Sequence, residues 1–306
     1  HLGYAKTQPL EVYQAQRRGG RGRMATTVND EDFVEHLVIA NSHETLLCFS
    51  NAGKVYWLKV YQIPQGSRGA KGRPLVNMLP LEDGERITAI QPVGDFEEDS
   101  FVFMATANGT VKKTPLEQFS RPRPSGLIAI QLEEGNTLVD VSMTDGHRDI
   151  VLVSSAGKAV RFKESDVRAM SRTARGVRGI RLLTDQKLIA LIVPEDGGYM
   201  LTAAEFGYGK RTSISEFPVR GRGTQGVIAI QTSERNGSVI GARQVFEGDE
   251  IMLISDQGTL VRTSVDEVSV VGRNTQGVRL IALRETEKLG GVERIIETDA
   301  RAPADQ

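Results

Sequence analysis

A cluster of arginine and glycine residues near the start of the chain has the composition of a phosphate-binding loop. The segment QRRGGRGR (16–23) holds four arginines, three glycines and no acidic residue. Arginine offers a planar guanidinium that bonds to phosphate oxygens. Glycine lets the backbone approach a ligand closely and present its N–H groups. The chemistry that this segment indicates is therefore the binding of a polyanion rather than catalysis.

Five later segments have the same character, and none of them contains Asp or Glu. With QRRGGRGR as basic segment 1, basic segments 2 to 6 are SRGAKGRP (67–74), SRPRPSG (120–126), SRTARGVRGIR (171–181), VRGRGTQG (219–226) and VGRNTQG (271–277). The acidic residues lie elsewhere, in segments such as LEDGE (81–85) and FEGDE (246–250). The near balance of 38 Lys and Arg against 39 Asp and Glu therefore hides a strong segregation of charge.

A periodic positive track fits an extended, uniformly charged polymer better than a small ligand, and duplex nucleic acid is such a polymer. No recognition helix stands out, so the sequence predicts binding with little sequence preference, modulated by DNA bendability. The residues predicted to contact DNA are Gln16, Arg17, Arg18, Gly19, Gly20, Arg21, Gly22, Arg23, Arg68, Lys71, Arg73, Arg121, Arg123, Arg172, Arg175, Arg178, Arg220, Arg222 and Arg273.

Catalytic and metal-binding chemistry finds little support in the residue spacing. The four histidines show no metal-ligand spacing, and NDEDF (29–33) lacks a calcium-loop pattern. Cys48 lies in the apolar run LLCFS, which is typical of a buried small side chain rather than a nucleophile. GYGK (207–210) lacks the spacing of a phosphate-binding loop. We expect no catalytic residue, no metal site and no cofactor in this chain.

The elements that carry the basic segments recur about every 50 residues. Each unit has a short apolar strand, a turn ending in glycine, a second strand with one or two cations, and then a basic segment. The turn glycines are Gly53, Gly109, Gly157, Gly207 and Gly258, and counting back from Gly53 gives Gly3 as a sixth. Because Asn and Gly tolerate positive φ, each turn predicts a β-hairpin.

Two further strand-like runs per unit, such as GLIAIQL (126–132) and TLVDVSM (137–143), bring the count to about four strands. Four-stranded units at this period predict a propeller-like ring. Six turn glycines predict six blades, with the first blade completed jointly by the N-terminal segment and by LGGVERIIE (289–297). A linear β-solenoid with six repeats is the alternative. We expect one domain over residues 1–298 and a tail over 299–306.

Composition excludes several other classes. The 306-residue chain has one cysteine, so it holds no internal disulfide, which suits a reducing cytoplasm. No apolar run is long enough for a transmembrane helix, and the start HLGYAKTQPL lacks the apolar core of a signal peptide. Because the sequence does not begin with Met, we expect a fragment or a processed piece of a longer protein.

At this point the residues support a resemblance. QRRGGRG (16–22) matches at every position the signature called the gyrase A box, Q-R-R-G-G-[R/K]-G, and it lies in the first unit, as in that family. Further segments resemble the C-terminal domain of DNA gyrase A from Gram-negative bacteria, and the resemblance covers nearly the whole chain. They are VFMATANGTVKKT (102–114), VRFKESDVRAM (160–170), GYGKRT (207–212) and GRNTQGV (272–278).

The resemblance implies a six-bladed β-pinwheel, flat or spiral, that exchanges strands between neighbouring blades and wraps DNA around its basic perimeter. It further implies that this wrapping lets gyrase introduce negative supercoils, with the box required for it. The partners would be double-stranded DNA, the rest of gyrase A, and gyrase B, in the nucleoid. The domain itself would be non-catalytic, because ATP and Mg²⁺ belong to the rest of the enzyme.

Two alternatives remain at this stage. The C-terminal domain of topoisomerase IV is similar, but its box is degenerate or absent, so the intact box favours gyrase. A propeller that scaffolds protein–protein contacts could use the same positive belt for an acidic partner. The chain also departs from the family pattern: the first hairpin lacks its initial strand, and no long acidic tail follows ARAPADQ (300–306).

Overall fold

A computed structural model describes residues 4–7, 15–16, 23–24, 38, 40–66, 72–96 and 99–295. These residues form β-strands and short 3-10 helices, with no α-helix among them. The strands are β1 Tyr4–Ala5, β2 Ala15–Gln16, β3 Arg23–Met24, β4 Thr45–Ser50, β5 Lys54–Lys59, β6 Arg73–Pro74, β7 Ile87–Val93, β8 Phe101–Thr106, β9 Thr110–Pro115, β10 Leu127–Ile128, β11 Leu138–Thr144, β12 Asp149–Ser154, β13 Lys158–Lys163, β14 Val177–Arg178, β15 Leu188–Ile192, β16 Tyr199–Ala204, β17 Tyr208–Ser213, β18 Val227–Ile228, β19 Val239–Val245, β20 Glu250–Ser255, β21 Thr259–Ser264, β22 Val278–Arg279 and β23 Leu289–Ile295. The 3-10 helices are Val60–Gln62, Leu75–Asn77, Leu116–Phe119, Glu164–Asp166, Ile214–Glu216 and Val265–Glu267. The predicted all-β class is confirmed for this part of the chain.

Each large sheet is built around one of the predicted hairpins. In the hairpin of β8 and β9, Gly109 has a φ of 89°, and its N–H donates to the Thr106 carbonyl at 3.0 Å. Only glycine adopts this left-handed conformation readily, which is why a glycine closes every turn. The first strand of each hairpin is almost continuously apolar because both of its faces are buried.

Five sheets have four strand positions each, and we number them I to V. Their strand orders are β10-β5-β4-β7 (sheet I), β11-β8-β9-β14 (sheet II), β15-β12-β13-β18 (sheet III), β19-β16-β17-β22 (sheet IV) and β23-β20-β21 with β2 and β3 (sheet V). In every sheet the outermost position is taken by a strand from another repeat unit. Basic segments 3, 4, 5 and 6 thereby lead into the outer strands of sheets I, II, III and IV, and basic segment 1 leads into the outer edge of sheet V.

The sheets succeed one another like the blades of a propeller. Their inner strands contact each other in the order β7, β11, β15, β19, β23. Apolar clusters fill each space between neighbouring sheets, for example Leu47 and Phe49 of sheet I against Val102 and Met104 of sheet II. Alternate residues of β4 face the other way, where Leu46 and Cys48 form a separate cluster with Tyr56. Burial of both sheet faces is the main source of stability.

The prediction of six blades is wrong, because the described residues form five. A turn glycine indicates one hairpin, which supplies two strands, whereas a blade has four strand positions. Among the described residues, the strand after Gly3, β1, pairs with β6 in a two-stranded sheet and with no other strand. The other described strands of the first unit, β2 and β3, pair with β21 and fill the outer edge of sheet V.

The predicted completion of a shared first blade by the two ends of the chain is wrong as well. The C-terminal strand β23 pairs with β20 and is the inner strand of sheet V. Each hairpin is thus followed by its own inner strand, and only the outer position is exchanged between units. The N-terminal segment therefore meets the C-terminal hairpin at the perimeter and not at the inner strands.

Candidate nucleic-acid interface

One cation of each hairpin in sheets II to V is used inside the fold. In sheets II to V, the second strand of the hairpin carries a Lys or Arg four residues after the turn glycine. This cation lies diagonally across from the first residue of the first hairpin strand. That first residue is either acidic or aromatic, so it forms an ion pair or holds the cation against its ring. The pairs are Lys113 with Phe101 (4.9 Å to the ring centre), Arg161 with Asp149 (2.8 Å), Arg211 with Tyr199 (4.6 Å to the ring centre) and Arg262 with Glu250.

The arginines of the basic segments are different. Nine of the predicted contact residues lie in the described part of the chain with their side chains. Seven are exposed, namely Arg73, Arg121, Arg123, Arg175, Arg178, Arg220 and Arg222, and Arg172 and Arg273 are half-buried. Among the described residues, no carboxylate lies within 4.0 Å of any of these nine guanidinium groups. Their charge is therefore available to a ligand.

Three equivalent arginines link neighbouring outer edges. Each of them lies four residues before the glycine that precedes an outer strand. Its Nη1 donates to the carbonyl of the last residue in the outer strand of the neighbouring sheet. The bonds are Arg172 to Ile128 (3.4 Å), Arg222 to Arg178 (3.0 Å) and Arg273 to Ile228 (3.1 Å). Arg222 also donates from Nε to the Asp166 carbonyl at 3.1 Å. Each guanidinium thus uses one or two of its N–H groups for positioning, while its other donors remain.

Backbone hydrogen bonds also join the residue three positions after each of these outer strands to the next basic segment. The N–H of Gln131 donates to the Ala174 carbonyl at 3.2 Å, and the N–H of Arg181 donates to the Thr224 carbonyl at 2.8 Å. The N–H of Gln231 repeats this contact with the Thr275 carbonyl at 2.9 Å. Basic segments 3 to 6 therefore form one continuous belt along the outer edges of sheets I to IV.

Two buried lysines lie beneath this belt. The Lys112 ammonium donates to the carbonyls of Ser171 at 2.9 Å and Arg172 at 2.7 Å, and also to that of Ala129. The Lys210 ammonium donates to the carbonyls of Gly272 at 2.8 Å and Arg273 at 2.5 Å. Burial lowers the pKa of Lys112 to about 7, with repulsion from Arg172 as the second cause.

Burial likewise lowers the pKa of Lys210 to about 8. Glu216 opposes this shift through its negative charge, and the positive charge of Arg273 adds to it. The side chains of Lys112 and Lys210 are fully buried in sheets II and IV. Neither ammonium can touch a ligand on the outside of the belt.

Part of the predicted site lies outside the described residues. This holds for Arg17, Arg18, Gly19, Gly20, Arg21 and Gly22 of basic segment 1, and for Arg68 and Lys71 of basic segment 2. The backbones of Gln16 and Arg23 are described in β2 and β3. Gln16 lies beside Thr263 in parallel pairing and Arg23 opposite Leu260 in antiparallel pairing, so basic segment 1 begins and ends on β21.

Two further arginines of the same kind escaped the sequence analysis. Arg235 and Arg279 both approach the ring of Tyr208, at 4.8 and 5.6 Å from its centre, and Arg279 donates to the Tyr208 hydroxyl at 3.2 Å. Hydrogen bonds from these two arginines lower the pKa of Tyr208. With Arg284 they line a surface pocket of about 280 Å³.

The repeat could have identified one of the two. Arg279 follows basic segment 6 at the position that Arg178 occupies in segment 4, so alignment of the units could have found it. Arg235 lies in the turn SERNG (233–237), which contains an acidic residue and gave no such signal.

The structure offers little for other chemistry. Cys48 is buried, and burial raises the pKa of its thiol to about 12, so it is no nucleophile at neutral pH. Within the described ranges, no group of three or more His, Cys, Asp or Glu side chains is arranged to hold a metal ion. A search of the same residues finds no helix that is long and apolar enough to cross a membrane.

Comparison with known sequences assigns a family. The model of the family described as "DNA gyrase C-terminal domain, beta-propeller" matches residues 1–41, 44–94, 100–145, 148–195, 198–245 and 249–295. DNA gyrase A of Salmonella typhimurium is 58% identical over 297 residues, and that of Escherichia coli is 56% identical over 297 residues. The match covers 97% of this chain but only 34% of either relative, so the chain spans about a third of their length.

Comparison with solved structures agrees. A structure of the DNA gyrase A C-terminal domain superposes with a TM-score of 0.87 at 27% identity, covering 96% of this chain and 97% of that one. The C-terminal domain of DNA topoisomerase IV superposes with a TM-score of 0.76 at 26% identity, covering 96% and 90% of the two chains.

Proposed function

Since the chain belongs to the family of DNA gyrase C-terminal domains, we propose that it binds duplex DNA and bends it around the outer edges of its sheets. The domain does no chemistry of its own. With the rest of gyrase A and with gyrase B, it presents wrapped DNA to the catalytic part of the enzyme, so that negative supercoils are introduced at the expense of ATP.

One observation carries this proposal: in sheets II to V the cation four residues after the turn glycine has a partner inside the fold, whereas the nine described arginines of the predicted site have no carboxylate partner among the described residues. Exposed unpaired arginines at equivalent edges fit a ligand with regularly spaced negative charge. Each phosphate that they neutralise releases condensed counterions from DNA, which favours binding. Arg235 and Arg279 add two charges to the belt at sheet IV.

The arrangement supports binding with little sequence preference. Outer strands of two residues and the loops before them offer guanidinium and backbone N–H groups, which suit phosphates rather than base edges. No α-helix is present in the described ranges to enter a major groove. The sequences that bend most easily around the belt would be the preferred ones.

The test is DNA wrapping by this chain. Nicked plasmid is ligated with the chain bound, and the change in linking number is measured after the protein is removed. We expect the unmodified chain to change the linking number. The triple variant Arg17→Ala, Arg18→Ala, Arg21→Ala should lose most of that change because it removes three of the four cations of basic segment 1.

The control is the double variant Lys163→Ala, Lys187→Ala, which removes two exposed cations outside the basic segments. It should wrap like the unmodified chain. The proposal fails if the unmodified chain leaves the linking number unchanged. An equal loss in the control and in the arginine variant would contradict the assignment of basic segment 1 to DNA binding.

A further inference from the structure

One position of the second hairpin strand differs between alternate units. It lies three residues after the turn glycine. Through units 1 to 6 the residues at this position are Lys6, Tyr56, Lys112, Val160, Lys210 and Val261. Lysine therefore alternates with an aromatic or branched apolar residue, although the hairpins of sheets I to V share the same pairing.

The lysines hold the basic segment that lies above them. Lys112 binds three carbonyls, two of which belong to basic segment 4. Lys210 binds three carbonyls and the Thr275 hydroxyl, all in basic segment 6. A lysine ammonium has three donors and no acceptor, so a loop that turns several carbonyls inward is its natural partner.

Where this position holds valine instead of lysine, the space beneath the basic segment is filled differently. In sheet III, where the residue is Val160, a pocket of about 170 Å³ lies between the strand and basic segment 5. Val160, Arg220 and Thr224 are among the residues that line it. Valine packs near Gly226 of the segment but has no hydrogen-bond donor for its carbonyls, and among the described residues no lysine replaces the missing contact.

The sheet does not need this lysine. Sheets III and V form the same strand pairing with valine as sheets II and IV form with lysine. Burying an ammonium is costly unless its donors are satisfied, and the donors of Lys112 and Lys210 are satisfied by loop carbonyls. The lysines are therefore not required for the sheet, and what they add is a set of hydrogen bonds to the segment above it.

We propose that Lys112 and Lys210 are positioning residues for DNA binding, which fix basic segments 4 and 6 in the shape that receives DNA while basic segment 5 stays adaptable. Arg172 and Arg273, whose carbonyls the lysines bind, are the two half-buried belt arginines. A segment that is already ordered loses less conformational freedom on binding, so its contacts contribute more to affinity. This inference rests on the proposed function.

The first test removes the lysines. The variants are Lys112→Val and Lys210→Val, which install the residue found at the same position in sheets III and V. In the absence of DNA, amide hydrogen exchange should become faster in residues 171–176 of the first variant and 271–277 of the second. Exchange in strands β8 and β16 should not change, because the sheets keep their hydrogen bonds.

In the presence of DNA, we expect each variant to bind about tenfold more weakly, which corresponds to about 1.4 kcal/mol. The slope of log affinity against log salt should stay the same, because a buried lysine touches no phosphate. Removing a direct contact by Arg172→Gln should reduce that slope by about 0.9. Lys187→Val, which removes an exposed lysine, is the control for the loss of one charge.

The second test adds a lysine. In the variant Val160→Lys, the new side chain should enter the pocket of about 170 Å³ and bind carbonyls of basic segment 5. Amide exchange in residues 219–226 should slow, and DNA affinity should rise. This variant keeps the proposal testable even if the loss variants unfold.

The proposal is overturned if exchange in residues 171–176 and 271–277 is unaffected by the loss variants, or if Val160→Lys leaves residues 219–226 unchanged. It is also overturned if the loss variants keep full DNA affinity or reduce the salt slope as Arg172→Gln does. If the unmodified chain does not bind DNA, the proposed function fails, while the exchange measurements still decide whether the lysines fix the segments.

Discussion

At the scale of residues, arginine has two different roles in this chain. Arg161 forms an ion pair with Asp149 and holds a hairpin together, whereas Arg175 is exposed in a basic segment and has no carboxylate partner among the described residues. Lys112 shows a third use, because it carries its charge into the interior and gives its donors to a loop. Net charge therefore says little about which cations meet a ligand.

A pH dependence of stability follows from Lys112. Burial lowers the pKa of this group from its ordinary value of 10.5 to about 7 in the folded chain. Between these two values the unfolded chain binds more protons than the folded chain at this position. The contribution of Lys112 to the free energy of unfolding should therefore rise as pH increases from 7 towards 10.

This can be measured by urea unfolding at pH 7, 8 and 9. The free energy of unfolding of the unmodified chain should increase relative to that of Lys112→Val across this range. Lys187→Val removes an exposed lysine and should run parallel to the unmodified chain. A difference between the unmodified chain and Lys112→Val that does not change with pH would contradict the expectation.

At the scale of elements, the turn glycine does more than close a hairpin. The Gly109 carbonyl accepts hydrogen bonds from the N–H groups of Gly179, at 2.8 Å, and Ile180, at 3.2 Å. Both residues follow β14, the outer strand that the next unit contributes to sheet II. The same contact recurs at Gly53, Gly157 and Gly207. Each of these four turns thus binds the residues that follow the outer strand of the next unit, to which a basic segment leads.

We therefore expect Gly109→Ala to be more damaging than an ordinary turn substitution. A Cβ at this residue would lie 2.6 Å from the Ile180 carbonyl oxygen, in addition to the cost of a φ of 89°. Gly135→Ala is the matched control, because Gly135 has a φ of 77° but no heavy atom within 4 Å of a Cβ.

Thermal or urea unfolding should show a loss of about 1–2 kcal/mol for Gly135→Ala. The loss for Gly109→Ala should be greater by about 1–3 kcal/mol, the size of a typical destabilising clash. Equal losses in the two variants would show that the close approach of the next unit carries no cost.

At the scale of the whole molecule, the exchange of outer strands has a consequence for the ends of the chain. Sheets I to IV each receive an outer strand from a later unit, but sheet V holds the last hairpin. Its outer edge is filled from the first unit, through β2 and β3. The first and last units are thus joined by backbone hydrogen bonds at the edge where basic segment 1 begins and ends.

Removal of residues 1–24 should expose that edge. Without β2 and β3, β21 becomes an edge strand with unpaired backbone groups, which favours faster amide exchange and self-association. We expect the increase in exchange in β21, with little change in the neighbouring strand β20. Exchange mass spectrometry and light scattering would measure the two effects.

A chain that lacks residues 299–306 is the control for truncation. It should retain the exchange pattern of the unmodified chain in sheet V. Unchanged protection of β21 after the removal of residues 1–24 would contradict the pairing of the first unit with the last hairpin.

Much of this organisation could be predicted from the sequence. The turn glycines, the apolar runs and the six basic segments identified the hairpins, the all-β class and the family, because these signals are local and repeat. The nine described arginines of basic segments 2 to 6 that were predicted to contact DNA were also identified from the repeat. Arg235 was missed because its unit places it in a turn that contains an acidic residue.

The sequence by itself determined the repeat, the hairpins and the segregation of charge into basic segments, since each depends on residues close together along the chain. Tertiary structure alone decided that six units form five blades and that β23 belongs to the last hairpin, because strand exchange is a choice among distant partners of similar pattern. It also decided which cations are available. Lys112 and Arg175 are both cations in the sequence, but only packing buries the first beneath the belt and leaves the second exposed to a ligand.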